Sequence, residues 1–289
     1  MKEEGMKPKV MKQENKNHKF AVQGASIVAF ESGQGLPVIF LHGSPDTHEM
    51  WLPVIAHLYD YVRCITLDLP GFGESTLPED FELTLDNMAD FIASMVKDLS
   101  IDEPVTLATT DFGGHYGLAF MVKYPDLVGG IAISNTNFFH DYQWHFAAKL
   151  YRVPLIGELL LATTTRSLLR RTLKKVSPNL PDSYIESSYD LGFGSPSVRK
   201  TILRMYRSRT STDFVGWEDK LLALLEHKPA IVLWGDQDPF IDPAYADRFR
   251  GAEVHHFEQY SHWLPLEAPA EYAGVLMPWL RQIHSHQEK

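Results

Sequence analysis

Asp111 holds the position in this 289-residue chain that carries the most chemistry. The run Val105-Thr106-Leu107-Ala108-Thr109-Thr110-Asp111-Phe112-Gly113-Gly114-His115 reads as a buried strand, a sharp turn and then a helix. The carboxylate therefore stands at the tip of a strand-to-helix turn. A serine at such a tip forms acyl-enzymes with esters and amides. A carboxylate gains little there, because attack on an ester carbonyl gives only an easily reversed anhydride. It can instead displace a leaving group from a saturated carbon and become an alkyl ester itself. The residue type points away from carboxylic esters and towards carbon–halogen or epoxide bonds.

Strands and helices in alternation must position this turn. Phe20 to Glu31 reads as one or two opening strands. Pro37 to Leu41 is a short apolar run entering the loop His42-Gly43-Ser44-Pro45, and Val62 to Asp68 is another, ending at Pro70-Gly71-Phe72-Gly73. Thr84 to Leu99 has helical spacing through Leu85, Met88, Phe91, Ile92, Met95, Val96 and Leu99. The turn strand follows, then a helix to about Tyr124 and a strand from Gly130 to Ser134. Such alternation predicts an α/β fold with a mostly parallel central sheet flanked by helices. The pattern breaks after Asn135. Residues 136–225 are rich in helix formers and lack a strand-like run, so they are predicted to be a helical cap inserted in a core made of 20–135 and 226–289. The strand pattern returns at Ala230 to Trp234 and Glu253 to Phe257, with a closing helix from Pro269 to about His284. Residues 1–19 are polar and lysine-rich and are predicted to be a disordered tail.

A net charge of −10 argues against nucleic acid or an anionic membrane as partner. The single Cys64 excludes an internal disulfide and fits a reducing compartment, the cytoplasm. No apolar run is long enough to span a bilayer, and the first residues lack the apolar middle of a secretory signal. No cofactor is expected. Gly71-Phe72-Gly73 and Gly113-Gly114 lack phosphate-loop spacing, and the histidines form no ligand-spaced cluster, so no metal is expected either. Oligomeric state is open, a homodimer included.

Four motifs fall in one order: His42-Gly43-Ser44-Pro45; Asp68-Leu69-Pro70-Gly71-Phe72-Gly73-Glu74-Ser75; Asp111-Phe112-Gly113-Gly114; and Gly235-Asp236-Gln237-Asp238 with His262 beyond. Each is weak alone. The ordered set, with His262-Trp263-Leu264-Pro265-Leu266-Glu267-Ala268-Pro269, resembles the α/β-hydrolase superfamily, and within it the aspartate-nucleophile branch of haloalkane dehalogenases and epoxide hydrolases. The resemblance covers nearly everything from residue 20 onward. It implies Asp111 as nucleophile, His262 as general base, and Asp238, three residues after Gly235, as the acid that orients the imidazole; Asp236 is the rival. After the sixth strand, where some dehalogenases carry the acid, stand Asn135 and Asn137. The resemblance also implies an oxyanion hole from the backbone N–H groups of Ser44 and Phe112, each donor typically worth about 3–4 kcal/mol. Departures mark the chain. Phe112 replaces the tryptophan whose N–H helps bind halide in dehalogenases. Ser44 is neither the asparagine or glutamate usual there nor the aromatic residue of epoxide hydrolases. Thr109 replaces the glycine two residues before the nucleophile, where a β-branched side chain is expected to crowd the turn.

The inserted segment should cover the mouth of the site and shape its pocket. Trp144 and His145 are candidate leaving-group residues. An epoxide hydrolase needs cap tyrosines that donate to the opening oxirane, and the segment offers Tyr142, Tyr151, Tyr184, Tyr189 and Tyr206, with Tyr206 the best single candidate. Gly192-Phe193-Gly194-Ser195-Pro196 reads as a loop, and Arg166 to Lys175 as a solvated basic face able to steer an anionic substrate. The leading reading is hydrolytic dehalogenation of a small apolar or haloorganic substrate. Epoxide hydrolysis to a vicinal diol is the alternative. A binding protein on the same scaffold is opposed by the intact set Asp111, Asp238 and His262.

Overall fold

The structure is a computed structural model and describes residues 16–287. Eight strands form one sheet: β1 Lys16–Val22, β2 Ala25–Ser32, β3 Pro37–Leu41, β4 Arg63–Leu67, β5 Val105–Thr110, β6 Val128–Ser134, β7 Ala230–Gly235 and β8 Glu253–Phe257. Their order is β1-β2-β4-β3-β5-β6-β7-β8. β2 runs antiparallel to β1 and β4, and the remaining pairs are parallel. Inner parallel strands are buried on both faces, which is why β3, β5 and β7 read as unbroken runs with every residue buried.

Alternate side chains feed two core layers. Ile39, Leu41, Ile65, Leu67, Leu107 and Ile133 face the helices Leu85–Asp98 and Asp111–Lys123. Val38, Phe40, Cys64, Ala108 and Leu233 face Leu52–Leu58 and Pro269–Gln287. The helix at Leu85 starts where Thr84 accepts from the Asn87 N–H at 3.2 Å. The chain leaves β3 in one direction to β4 and then crosses back to β5, so β3 and β5 are neighbours with diverging connections. Their carboxyl ends open the crevice in which ligands of open α/β sheets sit.

Between β6 and β7 every described regular element is helical, from Phe146–Tyr151 to Trp217–Leu225. The last of these packs on the Asp111–Lys123 helix through buried Leu221 and Leu225, on the core side of the segment read as the cap. Gly192-Phe193 is not loop. The helix Asp182–Ser188 runs on into one wider turn, closed by the Gly194 N–H to Tyr189 O at 2.7 Å. Of the segment read as a tail, residues 1–15 lie outside the described residues, whereas Lys16–Lys19 belong to β1, held by pairing with β2 at the sheet edge. No described helix is long and apolar enough to cross a membrane.

Candidate active site

Asp111 is the first residue after β5 and adopts φ 47°, the left-handed region that an aspartate enters only where its surroundings hold it there. Two contacts from the end of β6 do so. The Asp111 N–H donates to Asn135 O at 3.2 Å, and the Thr136 hydroxyl donates to Asp111 O at 2.6 Å. Thr109 does not crowd the turn as expected. Its hydroxyl bonds Ala132 O at 3.2 Å, and its methyl fills the space left by Gly117, where a Cβ would lie 2.6 Å from it.

The Ser44 N–H donates to Asp111 Oδ1 at 2.8 Å, and the Phe112 N–H also bonds this carboxylate. The loop comes this close because residue 43 is glycine; a Cβ there would stand 2.5 Å from Oδ1. Burial nonetheless raises the Asp111 carboxyl above its ordinary range, opposed by His262 and these two N–H groups. Asp111 Oδ2 faces His262 Nε2 at 3.6 Å. On the far side of the ring, Nδ1 lies 2.7 Å from Asp238 Oδ2.

Asp238 is fixed from several directions. Its Oδ1 accepts from the N–H groups of Phe240 and Ile241 at 2.7 and 3.1 Å, and its Oδ2 accepts from Asn135 Nδ2 at 2.9 Å. Asn135 in turn exchanges two hydrogen bonds with the Gly235 backbone, both 3.0 Å. Asp236 points away, to His256 Nδ1 at 2.7 Å. Burial works to lower the His262 pKa, but Asp238, Asp111 and Asp46 outweigh it and hold the imidazole up at about 9. Asp46 is a third carboxyl acting on this imidazole, 4% exposed, and it is raised to about 7 by burial and then by Asp111.

Above the carboxylate lies a cavity of about 290 Å³, lined by Ser44, Phe112, Trp144, His145, Tyr151, Tyr206 and His262 among others. The sequence candidates therefore meet in one place. Trp144 stacks on Phe112 at 6.0 Å, and its buried Nε1 has no hydrogen-bond partner. Tyr206 packs on Phe112, Trp144 and Tyr151 at 5.1, 5.7 and 5.3 Å, and burial followed by the Asp111 charge lifts its hydroxyl well above the tyrosine range, so it is protonated. His145 caps the helix Phe146–Tyr151 by accepting from the Ala148 N–H at 3.3 Å on Nδ1, which assigns the ring proton to Nε2. Burial lowers its pKa to about 4, so the ring is neutral. Tyr184 and Tyr189 do not line this cavity; Tyr142 does, with its hydroxyl turned to Phe240 O at 3.2 Å. The basic face of Arg166 to Lys175 is largely neutralised within the inserted segment, Arg166 by Glu186 and Asp190, Arg170 by Asp182 and Glu186, and Lys174 by Asp182.

The sequence placed Asn135 after the sixth strand without giving it a role, and Thr136 and Asp46 were passed over. The first two follow β6 directly, and that position was the available signal. Asp46 lies in the same loop as Ser44, but nothing in its local sequence announces a buried carboxyl.

The α/β-hydrolase fold family matches this chain over residues 37–269. The chain is 26% identical over 271 residues to a cis-3-alkyl-4-alkyloxetan-2-one decarboxylase of Shewanella oneidensis, covering 89% of this chain and 85% of that one. It is 26% identical over 283 residues to a haloalkane dehalogenase of Agrobacterium fabrum, covering 90% of each. It is 24% identical over 272 residues to epoxide hydrolase 3 of Xenopus tropicalis, covering 85% of this chain and 71% of that one.

Proposed function

The chain belongs to the α/β-hydrolase fold family, and from that premise we propose that it is a cofactor-independent cytoplasmic hydrolase that removes halogen from a small apolar haloorganic substrate through an alkyl ester on Asp111. The observation that carries this reading is the seating of the Asp111 carboxylate. One oxygen is bonded by the Ser44 N–H at 2.8 Å, while the other faces His262 at 3.6 Å and borders the cavity. In the relatives' names a haloalkane, an epoxide and an oxetan-2-one occur, each with a saturated carbon bearing a heteroatom that can leave. Helices of 136–225 act as the cap, with Trp217–Leu225 counted on the core side.

Asp111 Oδ2 attacks the carbon as the carbon–halogen bond breaks, and halide departs with the bonding pair towards the unpartnered Trp144 N–H. Alkylation turns the Asp111 anion into a neutral ester. His262 loses one of the charges that hold its proton, and its pKa falls from about 9. The neutral imidazole then takes a proton from water while the hydroxide oxygen adds to the ester carbonyl. The negative charge grows on Oδ1, against the N–H groups of Ser44 and Phe112. Asp238 steadies the imidazolium. Collapse expels the alkoxide, which takes the proton from His262 and leaves as alcohol; the carboxylic acid formed on Asp111 then gives its proton to the neutral imidazole, which restores the Asp111 anion and the protonated His262.

A second reading, opening of an epoxide to a diol, is favoured by Tyr151 and Tyr206, whose rings stand 5.3 Å apart on the cavity wall. The deciding assay follows halide release from bromoalkanes and haloacetates beside diol formation from styrene oxide. Diol without halide selects the second reading. Neither product, with no mass gain on the peptide containing Asp111, rejects both.

A further inference from the structure

Asp46 shares a turn with the N–H that holds the nucleophile. Its own N–H donates to Gly43 O at 3.2 Å, and Ser44 lies between them. The residue is buried, and its Oδ1 closes no hydrogen bond. The groups that face it are Asp111 from the end of β5, His262 and Trp263 from the loop after β8, and Tyr206 from the inserted helix Pro196–Arg207. Asp238, by contrast, is met by two backbone N–H groups and Asn135. A buried carboxyl with one oxygen unbonded and Trp263 as its side-chain donor adds little to the fold, so its presence beside the base calls for another account.

We propose that Asp46 is a positioning residue of this site, whose buried carboxyl sets how firmly His262 keeps its proton and thereby the lowest pH at which the ester on Asp111 is hydrolysed. Above about 7 Asp46 is an anion facing the imidazole. The other charged or titratable groups facing that imidazole are Asp238, Asp111, Glu267 and neutral His145. Once Asp111 is esterified its charge is gone. Asp46 then ionises more readily, and it and Asp238 become the chief anions that retain the His262 proton. Taking the Asp46 charge away must free the base at lower pH.

The inference rests on the ester mechanism only for its catalytic consequence, and its first test needs no substrate. The protein labelled with ¹⁵N-histidine is titrated by NMR, with the His262 resonance assigned by His262→Gln. Wild type is expected to titrate near 9. Asp46→Asn should lower that midpoint by about half to one pH unit, Asp46→Ser should do the same, and Asp46→Glu should return it towards wild type. An unmoved midpoint in folded Asp46→Asn and Asp46→Ser overturns the proposal whatever the substrate. In single turnover, the rising limb of ester hydrolysis should move down with the midpoint. A limb that stays put while the midpoint falls breaks the link to catalysis. Failure to find any adduct on Asp111 strikes the proposed function, and the imidazole titration still decides the role of Asp46.

Discussion

On the sheet side of the cavity nearly every group proposed to react is already paired, whereas the helical side presents a donor with nothing to bind. Asp111 and Asp238 are tied to backbone N–H groups from the loops after β3, β5 and β7, and Asn135 links Asp238 to Gly235. Across the cavity, Trp144 Nε1 is buried without a partner. The sheet side is organised before a ligand arrives, as charge stabilisation demands. The helical side is completed by what enters. Asp46 is the exception on the sheet side, which is why its role can be separated from structural support.

If the sheet side carries the chemistry as one unit, its removal must give the largest effect. His262→Ala should lower steady-state turnover by about 10⁴-fold or more yet leave alkylation intact, so the ester accumulates on Asp111. Intact-mass analysis after incubation with a substrate that the wild type turns over should show the added alkyl group, and Asp111→Ala should show none. An adduct elsewhere, or none in His262→Ala, would break the assignment.

Next in size is the contrast between two aspartates on one loop. Asp238→Asn leaves His262 without the partner at 2.7 Å that fixes its tautomer, a defect of up to about 10⁴-fold in a serine-protease triad. Asp236→Asn loses only a contact to half-exposed His256 and should stay within about threefold, since such pairs contribute little. Equal losses in kcat would show that Asp238 is not the specific orienting group.

This contrast also separates what the sequence made legible from what it did not. Strands β3, β5 and β7 could be read because double burial leaves continuous apolar runs. Asp111 and His262 could be read because their loops carry short-range spacing. Asn135 could not. Its value comes from the β6–β7 pairing, which sets it against Gly235, 100 residues away. Asp46 is buried, and the groups that act on it, Asp111, His262 and Trp263, are remote in sequence. Thr109 read as a clash because the room for its methyl is made by Gly117 within the following helix. Lys16 to Lys19 are polar and largely exposed on a sheet edge, so only their pairing with β2 makes them a strand.

Asp46 supplies the next effect, on stability. Its carboxyl rises from the ordinary 3.8 to about 7 on folding, so the native state binds the proton more tightly than the unfolded chain. Native stability therefore falls as pH rises from about 4 to 7, and the full cost is present above that. Asp46→Asn removes the buried charge. It should raise unfolding free energy by roughly 2–4 kcal/mol at pH 8 and by almost nothing near pH 4, read from urea denaturation at both pH values. A gain independent of pH would mean that the carboxyl charge is not the cause. The stability gain should accompany the lowered His262 midpoint, which ties the unpaired group to function.

The smallest expected effect is on the helical side, and it decides which leaving group the open donors serve. Trp144→Phe keeps an aromatic ring beside Phe112 and deletes one unpartnered N–H. If that N–H receives halide, halide release should slow by about tenfold, since one net hydrogen bond to a charged group contributes about 1.5–3 kcal/mol and part of it is replaced by water. Inhibition by bromide should weaken in parallel. Tyr206→Phe deletes a hydroxyl whose proton is held firmly by burial and the Asp111 charge. Halide release has no use for that proton, so the variant should be near wild type in dehalogenation. Oxirane opening does need it, because an alkoxide forming next to a buried carboxylate must be protonated as it leaves. Loss of diol formation in Tyr206→Phe, with Trp144→Phe silent towards both substrates, would reverse the order of the two readings while leaving the sheet side as described.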